Sequence, residues 1–416
     1  MLDPVVCSFS NRATCNPADG HYYWMYKSLF DYQNQRGSSA GITFAPAGQV
    51  DRHLQGILRA GSLRNEFRVS PMAVAGYPRH RINPAIERLL RNGLTHIQFY
   101  DGGLMELLIA TRLARRHSSL EVVFNFHWAE DWVRLLSSPN TIARRLARAI
   151  RALVGELPAN LALSAETKTL GEFVAQKLAV PIDIYPIAST ISPKNPRDWS
   201  VRNTDVLFLP QRVSEMATVV KLAALLTSFG LTTRVVAKNE SVAQFGKDLP
   251  KSSLLVGPLK ENQYIDTLSD ARIVVLPYDK QYFQWGSSGK FNDAIICGAF
   301  PFAPEWTAIP SQSTGPPEYH QLDLDNLEDA AIRMVERLKL GFPNGVLGVS
   351  LRDFFNWLPP APPQPQPLRW SIDPRAGALY IWVLFLASIY RSPGRASRAR
   401  KSLGKLFDAF SKLVIR

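Results

Sequence analysis

The chain has 416 residues, 46% of them hydrophobic and 20% charged, and 48 Lys and Arg against 35 Asp and Glu give a formal charge of +13. That length exceeds what one hydrophobic core usually serves, so two domains and an extension are expected of a folded, soluble body. The charge calls for a negatively charged partner or surface: nucleic acid, anionic lipid or phosphorylated metabolites. Cys7, Cys15 and Cys297 are too few and too scattered for a disulfide framework or a cysteine metal site, which fits a reducing cytoplasm. The N-terminus "MLDPVVCSFSN" lacks a basic leader followed by a long apolar core, so no secretory signal is expected.

From residue 5 to about 190, short apolar runs alternate with amphipathic ones. "VVCSF", "VSPMAVAG", "THIQFY", "EVVFNF" and "LALS" predict strands, and "GLMELLIATRLARRH" and "ETKTLGEFVAQKL" predict helices. Such alternation predicts a parallel sheet covered on both faces. "ISPKNPRDWSVRN", residues 191–203, has two prolines and little periodicity and reads as a linker.

The alternation then restarts. "DVLFLP", "TTRVVA", "SSLLVG", "RIVVLP" and "AFPFAP" predict strands, with helices over "SEMATVVKLAALLTSFG" and "ENQYIDTLS". The resulting domains are 1–195 and 200–345. "LPPAPPQPQPL" makes 358–369 an extended spacer, because proline fixes φ and removes backbone donors. The tail, 370–416, holds the apolar "ALYIWVLFLASIY" and a basic stretch with Leu403, Leu406, Phe407, Phe410, Leu413 and Val414 on one helical face. At thirteen residues the apolar run is short of the roughly 20 that span a bilayer. A second basic amphipathic segment, "TIARRLARAIRALVGEL", spaces Arg144, Arg145, Arg148 and Arg151 against Ile142, Leu146, Ile150 and Leu153. It reads either as a surface helix packing on the sheet or, with the tail, as a contact to an anionic membrane surface. Nucleic acid is not expected, since no recognised nucleic-acid motif accompanies the charge.

"RIVVLPYDKQYFQWGSSGKFNDAIICG" places a strand, a loop rich in small residues and a helix in the order that builds an anion site, with helix N–H groups facing the carboxyl end of the sheet. The bland reading is a helix start that Ser287 or Ser288 merely caps.

Tyr264, Leu276-Pro277-Tyr278, Ser287-Ser288-Gly289, Asp293-Ala294 and Gly298 with Pro301 together resemble the nucleotide-sugar-binding segment of glycosyltransferases with the two-domain GT-B fold, particularly retaining family four and its relatives. The likeness spans most of residues 1–340 and is specific over 264–301. It implies an α/β protein of two Rossmann-like domains facing across a cleft, to which the tail adds a helical, membrane-associating extension. It further implies transfer of a sugar from a nucleotide diphosphate donor to a glycan or lipid-linked acceptor, as in surface polysaccharide assembly. The cysteine usage and the basic amphipathic segments add an expected place in the cytoplasm, peripheral on the inner face of the membrane.

By the same resemblance Ser287, Ser288 and Gly289 hold the diphosphate, Asp293 the ribose, and Tyr278 belongs to the donor segment. Arg212 stabilises the departing diphosphate, and Lys290 can supply a further cation or remain simply solvated. His127 either lines the cleft and positions the sugar or packs locally beside Trp128. Gly20 belongs to an early glycine loop or is a plain turn glycine. Two positions depart from the family: Trp285 stands where an acid precedes Asp293 by eight residues, and Ala217 where a lysine follows Arg212 by five. They open a second reading, a catalytically degenerate relative that binds a glycan or a partner. "DLD" at 323–325 has the form of an Asp-x-Asp metal motif, but its acidic run leading into a helix is better explained by capping. Neither a metal nor any other cofactor is expected.

Overall fold

In the computed structural model, the described residues are 6–9, most of 95–185 and most of 197–346, with isolated positions elsewhere. Gly20, the proline spacer and the tail lie outside them, apart from the buried Trp382, Val383 and Leu386. The chain forms two compact units: Met1–Ala165 with Gly171–Ile184 and Leu358–Arg416, and Glu166–Leu170 with Tyr185–Trp357.

In the first unit, β1 (Val6–Phe9), β2 (His96–Phe99), β3 (Glu121–Asn125), β4 (Leu161–Ala165) and β5 (Asp183–Ile184) form a parallel sheet in that order. Its helices are α1 (Leu104–Arg116), α2 (Ala129–Ser137), α3 (Thr141–Gly155) and α4 (Lys168–Leu178), the last without its first three residues, which are counted with the second unit. Trp132 on α2 packs edge-on against Phe126, 4.8 Å between ring centres, and its indole N–H donates to Gly102 O at 2.7 Å. Only glycine fits at 102: a Cβ there would lie 1.8 Å from Asn125 O. The loop from β2 into α1 is thereby pressed onto the end of β3.

Helix α3 carries the arginines. Ala143, Leu146, Ala149, Ile150 and Leu153 are fully buried, while Arg144, Arg148 and Arg151 are exposed. The apolar stripe is consumed by packing inside the unit, so any anionic surface would meet this helix through its arginines alone. Among the described residues no helix is long and apolar enough to cross a membrane.

The second unit contains β6 (Thr204–Phe208), α5 (Met216–Ser228), β7 (Thr233–Lys238), α6 (Asn239–Phe245), β8 (Leu254–Gly257), α7 (Glu261–Ser269), β9 (Ala271–Val275), α8 (Lys280–Phe283), α9 (Gly289–Ile296), β10 (Phe300–Pro304), β11 (Gln321–Leu322) and α10 (Leu327–Leu340). Its strands are parallel in the order β11-β10-β9-β6-β7-β8. This is the doubly wound, Rossmann-type order, and the direction of winding reverses between β6 and β9. Alternate side chains feed two cores. Val206, Phe208, Ile273, Val275, Phe300 and Phe302 pack with α5 and α10, whereas Leu207, Leu209, Val274 and Leu276 pack with Phe291, Ala294 and Ile295 of α9.

The stretch 191–203 departs from the linker reading. Ile191 is buried, Trp199–Val201 forms a 3-10 turn, and Arg202 is 4% exposed. Its guanidinium donates to Arg197 O at 2.8 Å, Ala271 O at 2.6 Å and Cys297 O at 2.9 Å, joining this segment to the start of β9 and the end of α9. In the "DLD" run, Asp323 accepts from Asp325 N, and the N-cap of α10 is the neighbouring Asn326, which accepts from Asp329 N. Among the described residues no group of three metal-ligating side chains gathers.

Candidate functional site

In an open parallel sheet, a ligand enters outside the carboxyl ends of the strands where the winding reverses. Here that place is bounded by the loop after β6, residues 209–212, and the loop after β9, residues 276–279. Glu215, 4% exposed at the start of α5, ties the two loops together. Its carboxylate accepts from the backbone N–H of Gln211 at 2.6 Å, Arg212 at 3.1 Å and Asp279 at 3.2 Å. Burial raises its pKa, and these three bonds together with the Lys290 charge oppose the shift.

Tyr278, Ser288 and two residues that the sequence does not single out form a buried polar chain beside this clasp. Gln211 Nε2 donates to the Tyr278 hydroxyl at 3.0 Å, and that hydroxyl lies 3.0 Å from Ser288 Oγ. Gln312, 1% exposed, accepts from Ser288 N at 2.7 Å and donates to Ser288 O at 3.3 Å. Tyr278 is fully buried, and its phenol pKa is raised chiefly by that burial.

The neighbouring Ser287 is committed elsewhere, donating to the Glu166 carboxylate. Thr167, next along the short segment counted with this unit, donates to Trp285 O at 3.1 Å. The turn before α9 is thus held at 285, 287 and 288 by three separate parts of the unit.

Lys290 is half-buried in the first turn of α9. Burial pulls its pKa down to about 8; Glu215 and Asp293 oppose the shift, and the Lys238 charge at the end of β7 adds to it. No carboxylate lies within ion-pair distance of it among the described residues. A cation near its titration point, facing the carboxyl end of a sheet, has the chemistry of an anion subsite. Arg212 is exposed at the mouth of the same loop.

Asp293, 8% exposed, sits one turn further along α9. It accepts from Ser189 Oγ at 2.7 Å and from the Tyr264 hydroxyl at 3.1 Å. Burial first, and the Asp293 charge second, push the Tyr264 phenol well above its ordinary pKa. A carboxylate oxygen can accept more than one hydrogen bond, the chemistry that suits a vicinal diol.

The structure therefore gathers Arg212, Tyr278, Ser287, Ser288, Gly289, Lys290 and Asp293 in the second unit. His127 belongs to the first. It is half-buried just past β3, its backbone N–H donates to Asn125 O at 2.9 Å, and Glu130 stands close enough to feel its charge. Glu130 itself has a raised pKa, caused first by burial. Gln211, Glu215, Gln312, Ser189 and Glu166 join the site through tertiary contacts. Only Gln211, adjacent to Arg212 after an apolar strand, carried any local signal.

No protein-family model matches the chain, and no curated protein sequence does. Among solved structures, a glycosyltransferase from Rickettsia africae is similar at 8% identity and TM-score 0.49, covering 86% of this chain and 97% of its own. HepE from Anabaena, solved with UDP and glucose, is similar at 10% identity and TM-score 0.46, covering 85% of this chain and 97% of its own. Trehalose-6-phosphate synthase OtsA is similar at 11% identity and TM-score 0.46, covering 93% of this chain and 99% of its own.

Proposed function

We propose that the protein is a glycosyltransferase that takes a sugar from a nucleotide diphosphate donor and passes it to a glycan or lipid-linked acceptor. The observation that carries this reading is Lys290: a half-buried cation with no carboxylate in ion-pair contact among the described residues, placed where the winding of a Rossmann-type sheet reverses. A phosphate-bearing ligand supplies the missing negative charge.

In this reading the second unit holds the donor. Lys290, Arg212 and the Ser288 hydroxyl stabilise the charge that develops on the diphosphate as the glycosidic bond breaks, an electrostatic contribution that needs no resident cofactor. Asp293 accepts from the ribose hydroxyls. His127 and Gly20 serve the sugar and acceptor, and the chemistry is retaining. The basic tail and the arginine row of α3 bring the protein to an anionic membrane surface on its cytoplasmic side.

The test is a panel of nucleotide sugars scored by thermal shift, because a ligand that binds only the native state stabilises it. One donor class is expected to raise the midpoint of the wild-type chain and to leave Lys290→Met unmoved. The affinity of the wild type should fall as the pH rises through about 8, where Lys290 loses its charge. The variant should show no response at any pH in the same range. A folded wild-type protein that responds to no nucleotide sugar would remove the reading, and binding without any transfer would reduce it to a glycan- or partner-binding role.

A further inference from the structure

The direction of each hydrogen bond around Ser288 can be deduced. An amide nitrogen only donates, so the Tyr278 oxygen accepts from Gln211 Nε2 at 3.0 Å. A phenol has one proton, and Ser288 Oγ at 3.0 Å is the other oxygen in reach, so the arrangement that leaves the fully buried Tyr278 satisfied has its hydroxyl donating to Ser288. Ser288 Oγ is therefore an acceptor in this bond. Its own proton meets no acceptor among the described residues, although the residue is only 5% exposed. The backbone N–H of Ser288 is already given to Gln312 Oε1 at 2.7 Å, so the hydroxyl is the group this residue has left to offer.

A buried donor without an acceptor is costly unless a ligand completes it. Ser287, by contrast, has spent its single proton on Glu166. The two serines of the turn are consequently not equivalent.

We propose that Gln211 and Tyr278 are positioning residues that aim the Ser288 hydroxyl at a phosphate oxygen of a nucleoside diphosphate, while Gln312 fixes the backbone of the turn. This rests on the reading of the second unit as the donor-binding unit, and it identifies the contact as a side-chain hydroxyl rather than the Ser288 amide. The relay runs from the loop after β6, through the loop after β9, to the start of α9, so one ligand contact depends on three separate segments.

The experiment is isothermal titration of the full chain with UDP, ADP, GDP and inorganic pyrophosphate, in wild type and variants. Ser288→Ala and Tyr278→Phe are each expected to weaken the binding of the preferred diphosphate roughly tenfold, the scale of one hydrogen bond to a charged group. The double variant should be no weaker than Ser288→Ala alone, because Tyr278 acts only through Ser288. Gln211→Met should cost a few-fold in the wild-type background and nothing in the Ser288→Ala background. Ser288→Thr, which keeps the hydroxyl, should restore affinity, an outcome that a purely structural role for the side chain would not produce.

If Tyr278→Phe fails to fold, Gln211→Met and Ser288→Ala carry the same coupling test. Losses that multiply in the double variants, or full affinity in Tyr278→Phe, would overturn the relay while leaving the donor site intact. A wild-type protein that binds neither a nucleoside diphosphate nor pyrophosphate would overturn both together.

Discussion

Arg202→Met is expected to destabilise the second unit by about 3 to 5 kcal/mol, a large part of what a domain has to lose. The guanidinium is buried and donates to the carbonyls of Arg197, Ala271 and Cys297, which would all lose a partner at once. Burial lowers its pKa, but an arginine stays charged, so the carbonyl dipoles compensate that charge in place. Lysine cannot replace it, because a single ammonium lacks the fork that reaches three segments. Gly298 reports on the same packing. Its φ is +72°, and a Cβ would lie 2.5 Å from Arg202 Nη2, so Gly298→Ala should cost about 1 to 3 kcal/mol. Guanidinium chloride unfolding followed by tryptophan fluorescence checks both. A shift of a few tenths of a kcal/mol for Arg202→Met would show that the carbonyls find other partners.

His320 should make stability pH-dependent. The ring is fully buried, stacked on Phe300 at 4.4 Å and edge-on to Phe291 at 5.1 Å, with Nδ1 2.8 Å from Pro301 O. Its Nε2 is buried without a partner among the described residues. Burial drives the pKa down to about 4; the bond to Pro301 opposes this, and the charge of Arg337 adds to it. The unfolded chain takes up the proton near pH 6.5, whereas the native chain resists until about pH 4. The contribution is therefore complete above the unfolded value and is lost as the pH falls from about 6.5 to about 4, amounting to about 3 kcal/mol. His320→Leu is expected to lower stability at pH 7 and to remove most of the decline between pH 6.5 and 4.5. Equal slopes in wild type and variant would show that another group is responsible.

Which features could be read from sequence follows from how local their causes are. Strands β6, β9 and β10 stand out in "DVLFLP", "RIVVLP" and "AFPFAP" because strands buried on both faces show as continuous apolar runs. Helix α7 is legible to the residue in "ENQYIDTLS". Strands β5 and β11 have two residues each, too few to show any period, and α8 is one turn inside a stretch that reads as loop. Arg202 reads as linker because its partners at Ala271 and Cys297 lie 69 and 95 residues away.

The site divides in the same way. Ser287, Ser288, Gly289, Lys290 and Asp293 are contiguous, so their pattern is visible. Gln312 and Ser189 reach that segment across 24 and 104 residues, and nothing in their neighbourhoods announces it; Gln211, marked only by its place beside Arg212, reaches Tyr278 across 67. Spacing could nominate the turn, but it could not tell that one serine has surrendered its proton and the other has kept it.

The Glu215 clasp has a kinetic consequence. Because its carboxylate joins the loops after β6 and β9 through contacts within the chain itself, this edge of the site needs no ordering when a ligand arrives. Encounter, rather than closure, then sets the association rate at this edge, and a chain of charge +13 speeds encounter with an anion. Rising ionic strength should therefore slow association while leaving residence time nearly unchanged.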